Sequence, residues 1–265
     1  MDKVLVPVDF SDTSANALRY AAQLFAGSPM EITLLHTYGV QSSGALLMKN
    51  IDGVLLKDAK EKMNNLLKAS KEDFPDVVLH TKLVKGSAVA TIVSLAKEGG
   101  FNFIVMGTKG ASGLKEVFMG SVAGGVVSKS STPIIVVPGN HHFRKLDQIV
   151  YAVGDKLLSD PKIVAPLRKI ATLHKSKIKV LHVAQGKAKK IETSLIGIED
   201  LNPSVEYTFG SGNIHKDLND YLMKDYSGLL CMVREKKGML ERLLDGSVTL
   251  KQTFDSLVPL LILHD

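Results

Sequence analysis

Four glycines and two serines lie between residues 107 and 121, in the segment GTKGASGLKEVFMGS. Glycine lacks a Cβ, so its backbone N–H can approach an anion closely, and it tolerates positive φ. Gly107, Gly110 and Gly120 have the spacing G-x2-G-x9-G, and Ser121 follows where a helix is predicted to begin. A helix N-terminus adds oriented N–H donors, and a serine hydroxyl adds one more. The segment predicts a phosphate-binding loop, although loop geometry alone could also require these glycines.

This loop differs from the two common nucleotide motifs. A P-loop has a lysine after its last glycine, whereas Gly120 is followed directly by Ser121. A dinucleotide fingerprint would follow the first strand, but that strand leads into Asp9-Phe10-Ser11. Lys109 projects from the loop, where it could pair with a terminal phosphate or be solvated. No carboxylate pair in the loop indicates a dedicated metal site.

The loop must be positioned by short apolar segments that alternate with helical patterns. The predicted strands are residues 3–9, 30–38, 77–86, 101–107 and 133–139. The predicted helices are residues 11–26 with Ser11 or Ser14 as N-cap, 46–74 with an interruption near Gly53, and 88–100 with a glycine C-cap. Such alternation is typical of a doubly wound, mostly parallel sheet with right-handed crossovers. In such sheets ligands bind beyond the carboxyl ends of the strands, where the strand order switches.

The same order of segments returns after the polar stretch GNHHFRKLD, which resembles a linker. IVYAVGD is similar to VLVPVD, KIKVLHVAQ to EITLLHTYG, and SGLLCMV to FNFIVMG, with His36 and His182 in matching places. We therefore predict an internal repeat with domains at residues 1–140 and 146–265. The two strand-end histidines are interpreted as structural, and the paired linker histidines at 141–142 as exposed rather than metal-binding.

The second copy departs from the glycine pattern. When the two copies are aligned on Met106 and Met232, Gly107 corresponds to Val233 and Gly110 to Lys236. The helix-opening pair Gly246-Ser247 is retained, so a helix-capping anion site could remain, while Gly154-Asp155 displaces the acidic residue by one position relative to Asp9. We expect larger side chains to fill the space next to the phosphates, so that this copy does not bind a phosphate-bearing ligand in the same way. A different ligand there remains an alternative.

Composition narrows the class of protein. The 265 residues are 45% hydrophobic and 23% charged, as in an ordinary globular protein. The single cysteine, Cys231, excludes an intramolecular disulfide, lies in an apolar string and is interpreted as a buried, inert thiol. No secretory or membrane-spanning segment is visible, so a cytoplasmic location with no membrane association is expected. The net charge of +6 comes from dispersed lysines, and the run KAKK at 187–190 lacks aromatics, so nucleic-acid binding is not expected.

The glycine spacing, the opening VLVPVDFSDTS and the strand end LLHTY together resemble the universal stress protein family. The likeness covers nearly all of residues 1–138 and, more faintly, 146–265. It implies two tandem Rossmann-like α/β domains, paired through last strands at 133–137 and 259–263 as an intramolecular pseudo-dimer. A homodimer of two chains is a further alternative, and the protein partner is unknown.

The resemblance also implies an adenine nucleotide, ATP or AMP or ADP, with Mg²⁺ as a common companion of its phosphates. By position, the implied contacts are Pro7, Val8 and Asp9 to the adenosine part, Thr37 to the adenine, Met106 and Gly107 to the ribose, and Gly110, Gly120, Ser121 and the Val122 amide to the phosphates. Lys109 lies at a variable position of the motif. No catalytic residue is predicted.

Three functions compete at this stage. The first is a nucleotide-binding stress or signalling protein with little or slow hydrolysis, because no general base or arginine finger is spaced to activate a water. The second is a nucleotide hydrolase or adenylate-transferring enzyme of the same fold class, which needs an acidic or histidine motif near the first strand. The segment VDFSDTS offers only Asp9 and Asp12 for that purpose. The third is a protein that binds a partner and no nucleotide.

Overall fold

The structure is a computed structural model and describes residues 1–39, 51–108, 120–153, 158, 160–184, 195–209, 214–225, 228–234 and 258–265. Its strands are β1 (Asp2–Pro7), β2 (Met30–Tyr38), β3 (Val78–Lys85), β4 (Phe103–Gly107), β5 (Ile134–Val137), β6 (Gln148–Val153), β7 (Lys177–Ala184), β8 (Ser204–Phe209), β9 (Leu229–Arg234) and β10 (Leu260–His264). Its helices are α1 (Asp12–Leu24), α2 (Ile51–Asp73), α3 (Ala88–Glu98), α4 (Ser121–Lys129), α5 (Ala165–His174) and α6 (Ile214–Asp225). Short 3₁₀ helices cover Pro161–Val164 and Glu199–Leu201.

The ten strands form one sheet in the order β3-β2-β1-β4-β5-β10-β9-β6-β7-β8. Strands within each half are parallel, and the two halves meet where β5 pairs with β10 in antiparallel fashion. Each half therefore has the same doubly wound order, with the reversal of strand order between its first and fourth strands. The predicted fold class, two tandem doubly wound halves paired within one chain, is confirmed.

The registers show that the halves superpose residue by residue at their centres. In β1, Val4 and Leu5 pair with Phe103 and Ile104, as Ile149 and Val150 of β6 pair with Leu229 and Leu230. When the same registers are followed along β2 and β7, His36 and His182 occupy equivalent positions in the two halves, as the repeat predicts. At the junction, Ile135 pairs with its own counterpart Leu261, so a pseudo-twofold axis passes between them.

Helices cover both faces of the sheet, because the central strands are apolar on both sides. One face packs against α1, α2 and α5, and the other against α3, α4 and α6. β5 and β10 are buried throughout, except that His264 at the end of β10 is half-buried. Among the described residues, no helix is long and apolar enough to cross a membrane.

Helix α1 begins and α3 ends as the sequence predicts. Ser11 is the N-cap of α1, and its hydroxyl oxygen accepts from the Ser14 N–H at 3.3 Å. Helix α3 ends at Gly99, and Gly100 follows with φ of 64°, a left-handed conformation in which glycine avoids the steric cost of a Cβ.

One prediction about the helices is wrong. Helix α2 continues through Gly53 without interruption, and its predicted part at 46–50 lies outside the described residues. A single exposed glycine lowers helix stability by only about 1 kcal/mol relative to alanine, which packing of the remaining turns offsets.

We predict that the junction between the halves is a major source of stability. Ile135 is fully buried at the pseudo-twofold axis, so Ile135→Ala should lower the free energy of unfolding by about 2–5 kcal/mol. Val205→Ala on the edge strand β8 is the control, because Val205 is 36% exposed and should change stability by less than about 0.5 kcal/mol. Urea denaturation measures both, and equal effects would contradict the prediction.

Candidate functional site

A cavity of about 310 Å³ opens at the carboxyl edge of the first half, between the ends of β1 and β4. This is the point where the strand order reverses. Most of its apolar wall comes from the α3 and α4 side of the sheet, with Leu35, Ile92 and Ala123 among the contributors. The volume is at the lower end of the range for small-molecule sites.

The structure brings nine of the eleven predicted site residues together around this cavity. They are Pro7, Val8, Asp9, Thr37, Met106, Gly107, Gly120, Ser121 and Val122. The other two, Lys109 and Gly110, lie outside the described residues. Their grouping is a geometric result, and the binding roles predicted for these residues stay predictions.

The turn from β1 into α1 holds the Asp9 carboxylate on the cavity wall. The Ser11 hydroxyl donates to Asp9 Oδ1 at 2.5 Å, and the Ser11 N–H donates to the same oxygen at 3.1 Å. The Ser14 hydroxyl accepts from the Asp9 N–H at 3.4 Å and donates to the Ser11 carbonyl at 2.9 Å. Phe10 has φ of 64° in this turn, which is unusual for an aromatic residue. These bonds fix one carboxylate oxygen and the direction of the side chain.

The end of β2 presents backbone groups to the cavity. The Val8 N–H donates to the Leu35 carbonyl at 2.8 Å, and β1 ends one residue earlier, at Pro7. Because backbone groups along a strand alternate sides, the N–H and C=O of Thr37 face the same side as those of Leu35. Because β1 has already ended at this level, it offers no strand partner to the Thr37 N–H and C=O. The cavity wall therefore carries an adjacent donor and acceptor.

His36 has a structural contact next to this wall. Its Nδ1 donates to the Val8 carbonyl at 2.8 Å, and its ring lies 4.4 Å from the Phe10 ring, centroid to centroid. The imidazole therefore holds the first strand end against the second, as the structural interpretation of His36 predicts. Its counterpart His182 is buried and contacts the Tyr207 ring at 6.0 Å.

The first turn of α4 brings backbone N–H groups to the cavity wall. Gly120 is its N-cap without a side-chain cap bond, and the first helical bond runs from the Gly124 N–H to the Gly120 carbonyl at 2.9 Å. The N–H groups of Ser121, Val122 and Ala123 precede that bond, so they have no acceptor within the helix. They lie at the positive end of the helix dipole.

Gly107 is required for a reason that the sequence did not reveal. A Cβ built at this position would lie 2.5 Å from Thr13 Cγ2 and 3.0 Å from the Thr13 carbonyl oxygen. Gly139 has a similar neighbour, since its Cβ would lie 3.1 Å from Thr13 Oγ1. The close approach of α1 to the ends of β4 and β5, rather than a ligand alone, explains glycine here.

Sequence reasoning missed several lining residues, among them Ser14, Ala88, Ile92, Thr108 and Ala123. Ser14 carried a signal, because it was a candidate N-cap directly after the strand end. The apolar lining residues of α3 carried no such signal. An apolar residue on a helix has the same sequence pattern whether it faces a ligand or the core. Thr108 follows the glycine that the motif emphasises, and its carbonyl accepts from the Gly120 N–H across the loop.

In the second half, the Val233 side chain packs in the α1 and α5 core, on the opposite face of the sheet from most of the first-half cavity wall. The expectation that larger side chains fill the space next to the phosphates in this half stays a prediction. Lys236, Gly154-Asp155 and Gly246-Ser247, on which the remaining expectations depend, lie outside the described residues, as does the run at 187–190.

The remaining candidate residues are not arranged as a site. Cys231 is fully buried as predicted, and burial raises the pKa of its thiol well above the usual value. His142 is exposed as expected, but His141 is half-buried with its ring 6.2 Å from that of Tyr20. Within the part of the chain that the structure describes, no group of three or more His, Cys, Asp or Glu side chains could hold a metal ion.

The strand order, the cavity at the switch point and the exposed helix N-terminus define a doubly wound α/β protein with a cavity at the carboxyl edge of its first half. The model of the universal stress protein family matches residues 1–138. The chain belongs to the universal stress protein family.

The curated relatives match about half of the chain, and a solved structure matches nearly all of it. Universal stress protein MJ0577 of Methanocaldococcus jannaschii is 30% identical over 155 residues, which cover 51% of this chain and 93% of the relative. Universal stress protein YxiE of Bacillus subtilis is 30% identical over 148 residues, covering 51% and 98%. A universal stress protein structure from Archaeoglobus fulgidus matches 98% of this chain and 95% of its own, with a TM-score of 0.73 and 19% identity. This last likeness shows that the fold extends over both halves.

Two glycine substitutions test the packing of the site. Gly107→Ala should lower the free energy of unfolding by about 1–3 kcal/mol, because the added methyl group meets Thr13. Gly53→Ala is the control: a Cβ there meets nothing within 4 Å, so it should stabilise the protein by about 0.5–1 kcal/mol. Thermal or urea unfolding measures both, and a neutral Gly107→Ala would show that α1 does not depend on this contact.

Proposed function

We propose that the first half binds an adenine nucleotide, ATP or its hydrolysed forms, and that the protein acts as a nucleotide-binding stress or signalling protein. The observation that carries this proposal is the combination, in one cavity, of a backbone donor–acceptor pair at Thr37 with the amides at the start of α4. The Thr37 pair can hydrogen-bond the edge of a base, and the α4 amides can donate to a phosphate. The family membership and the spacing of the glycine motif support the same ligand.

The chemistry of each cavity wall predicts which part of the nucleotide it would contact. Adenine offers an N–H donor and a ring-nitrogen acceptor on adjacent positions, which suit the Thr37 carbonyl and N–H. The apolar side chains of Leu35 and Ile92 would cover its faces, and Met106 would lie against the ribose. Pro7 and Val8 would add van der Waals contact, because the Val8 N–H and carbonyl already have partners within the protein. The fixed Asp9 carboxylate would accept from a sugar or base donor.

The phosphates would lie against Gly120, Ser121 and the Val122 amide, with Lys109 and Gly110 completing the loop as the sequence predicts. Bound magnesium would supply positive charge at the phosphates. Among the described lining residues Asp9 is the one carboxylate, so such an ion would depend mainly on phosphate oxygens and water for its ligands.

Slow hydrolysis is part of the proposal. Activation of a water requires a base near the terminal phosphate. Asp9, the described carboxylate in the cavity, has one oxygen engaged by two Ser11 groups. It lies at the end of β1 rather than at the start of α4. We therefore propose binding with little turnover, and an enzyme only in the sense of a weak ATPase.

The second half would serve as a built-in pairing partner. Its last strand occupies the β5 edge that would otherwise be exposed to other chains. The domain limits 1–140 and 146–265, the cytoplasmic location, the absence of nucleic-acid and membrane partners, and the association of two chains stay predictions that accompany this proposal.

The decisive experiment incubates the purified chain with ATP and magnesium and measures both retained nucleotide and released phosphate. Retention with turnover below about one per minute is the expected result. Rapid phosphate release or adenylate transfer would instead favour an enzyme of the same fold class. The absence of any bound nucleotide would leave a partner-binding protein and overturn the proposal.

A proline substitution tests the helix N-terminus directly. Ser121→Pro removes one amide donor and the hydroxyl, yet proline is tolerated at the first helical position and Gly120 already has an extended conformation. We expect a loss of at least about tenfold in ATP affinity, as for one hydrogen bond to a charged group. Ser121→Ala, which keeps the amide, should lose less, and Ser128→Ala at the other end of α4 should lose nothing. Equal ATP affinities by calorimetry for all three would place the phosphates elsewhere.

A further inference from the structure

The carboxyl edge of the second half carries a cationic side chain next to a half-buried imidazole whose Nε2 is buried. Arg234 is the last residue of β9 and pairs in register with His264, the last residue of β10. Side chains alternate along a strand, so both lie on the same face as Met232 and Ile262, which is the α6 side of the sheet. Neighbouring strands are about 4.8 Å apart, which brings the two side chains within reach of one ligand.

The position of Arg234 is equivalent to a lining residue of the first-half cavity. The registers that match Leu229 and Leu230 with Phe103 and Ile104 place Arg234 where Thr108 stands in the first half. Thr108 lines the cavity described above. The chain therefore has a guanidinium group at the corresponding edge of the second half, where the first half has a neutral hydroxyl.

Among the residues that the structure describes, neither side chain has a polar partner. His264 Nε2 is a buried nitrogen without a hydrogen-bond partner, and no carboxylate of the described residues forms an ion pair with Arg234. A half-buried cation without a counter-charge is unfavourable, and so is a buried polar atom without a hydrogen bond. Both costs disappear if one ligand accepts from both groups.

The chemistry of the two groups identifies that ligand. A guanidinium group is a planar, permanently charged donor that fits two oxygens of a carboxylate or phosphate. Burial, with a contribution from Arg234, lowers the pKa of His264 to about 4, so its imidazole is neutral near pH 7. A neutral imidazole can carry its proton on Nε2 and donate it to a third oxygen.

We propose that the second half binds a small oxyanion, a phosphate or a carboxylate group, at its carboxyl edge, held by Arg234 and by His264 Nε2. This site is separate from the nucleotide site and does not depend on it. The Asp265 N–H donates to the Arg234 carbonyl at 3.3 Å, which holds the ends of the two chain segments together at this edge.

Histidine-selective isotope labelling of the full chain provides a reporter for each half. The NMR signal of His264 reports on the proposed site, and that of His36, which lines the first-half cavity, reports on the nucleotide site. Inorganic phosphate, acetate and AMP are titrated separately at constant neutral pH and ionic strength. We expect a saturable shift of the His264 signal with at least one of the three, and the pattern distinguishes phosphate, carboxylate and a nucleotide phosphate as the source.

Matched variants decide whether Arg234 binds the anion. Arg234→Gln should weaken the apparent affinity at His264 at least about tenfold, whereas Arg144→Gln, at an exposed linker arginine, should leave it unchanged. Unchanged His36 signals show that the variants are folded. If Arg234→Gln is not folded, Arg234→Lys, which keeps the charge, replaces it. An affinity that is the same in wild type and in the Arg234 variant overturns the proposal, as does the absence of a saturable His264 shift with all three anions.

Discussion

The antiparallel pairing of β5 with β10 determines how the rest of the molecule is arranged. Each strand is apolar and would expose an unpaired edge if its half stood alone. Because Ile135 pairs with its own counterpart Leu261, the halves are related by a pseudo-twofold axis through the sheet. The same symmetry turns the second set of strands around, so the carboxyl edges of the two halves lie at opposite edges of one sheet. The first-half cavity and the Arg234–His264 pair therefore cannot share one small ligand.

Helix α1 links the cavity to the packing between the halves. Its first turn holds Asp9 through Ser11, and Thr13 lies against Gly107 and Gly139. One turn later, the Asn16 side-chain amide donates to the Pro138 carbonyl at 3.3 Å and to the His141 carbonyl at 2.9 Å. These bonds hold the linker against α1. At its far end the Leu24 carbonyl accepts from His174 Nε2 of α5 at 2.7 Å. A shift of α1 would therefore alter contacts at the cavity, at the linker and with the second half at the same time.

Much of the fold could be predicted from the sequence, because buried parallel strands and amphipathic helices have different periods. The repeat also followed from the sequence, since His36 and His182 recur at the same strand end. The pairing of the last strands came only from family resemblance, because an apolar run does not specify its neighbour. At Gly107 the residue was recognised but its reason was incomplete, since contact with Thr13 depends on how closely α1 approaches β4. Ser14 was a candidate N-cap in the sequence, but its hydrogen bonds with Asp9 and Ser11 depend on the shape of the turn.

The loss of glycine in the second half is best understood as a packing change that accompanies a different helix start. In the first half, α1 can begin immediately after the turn at Asp9 only because Gly107 leaves room for Thr13. In the second half, Val233 fills that room within the core, and a 3₁₀ helix at Pro161–Val164 precedes α5. Val164 is fully buried in the same core, so the two apolar side chains replace the close helix–strand contact. The glycine-to-valine exchange therefore replaces the close contact between α1 and β4 of the first half with side-chain packing in the core of the second half.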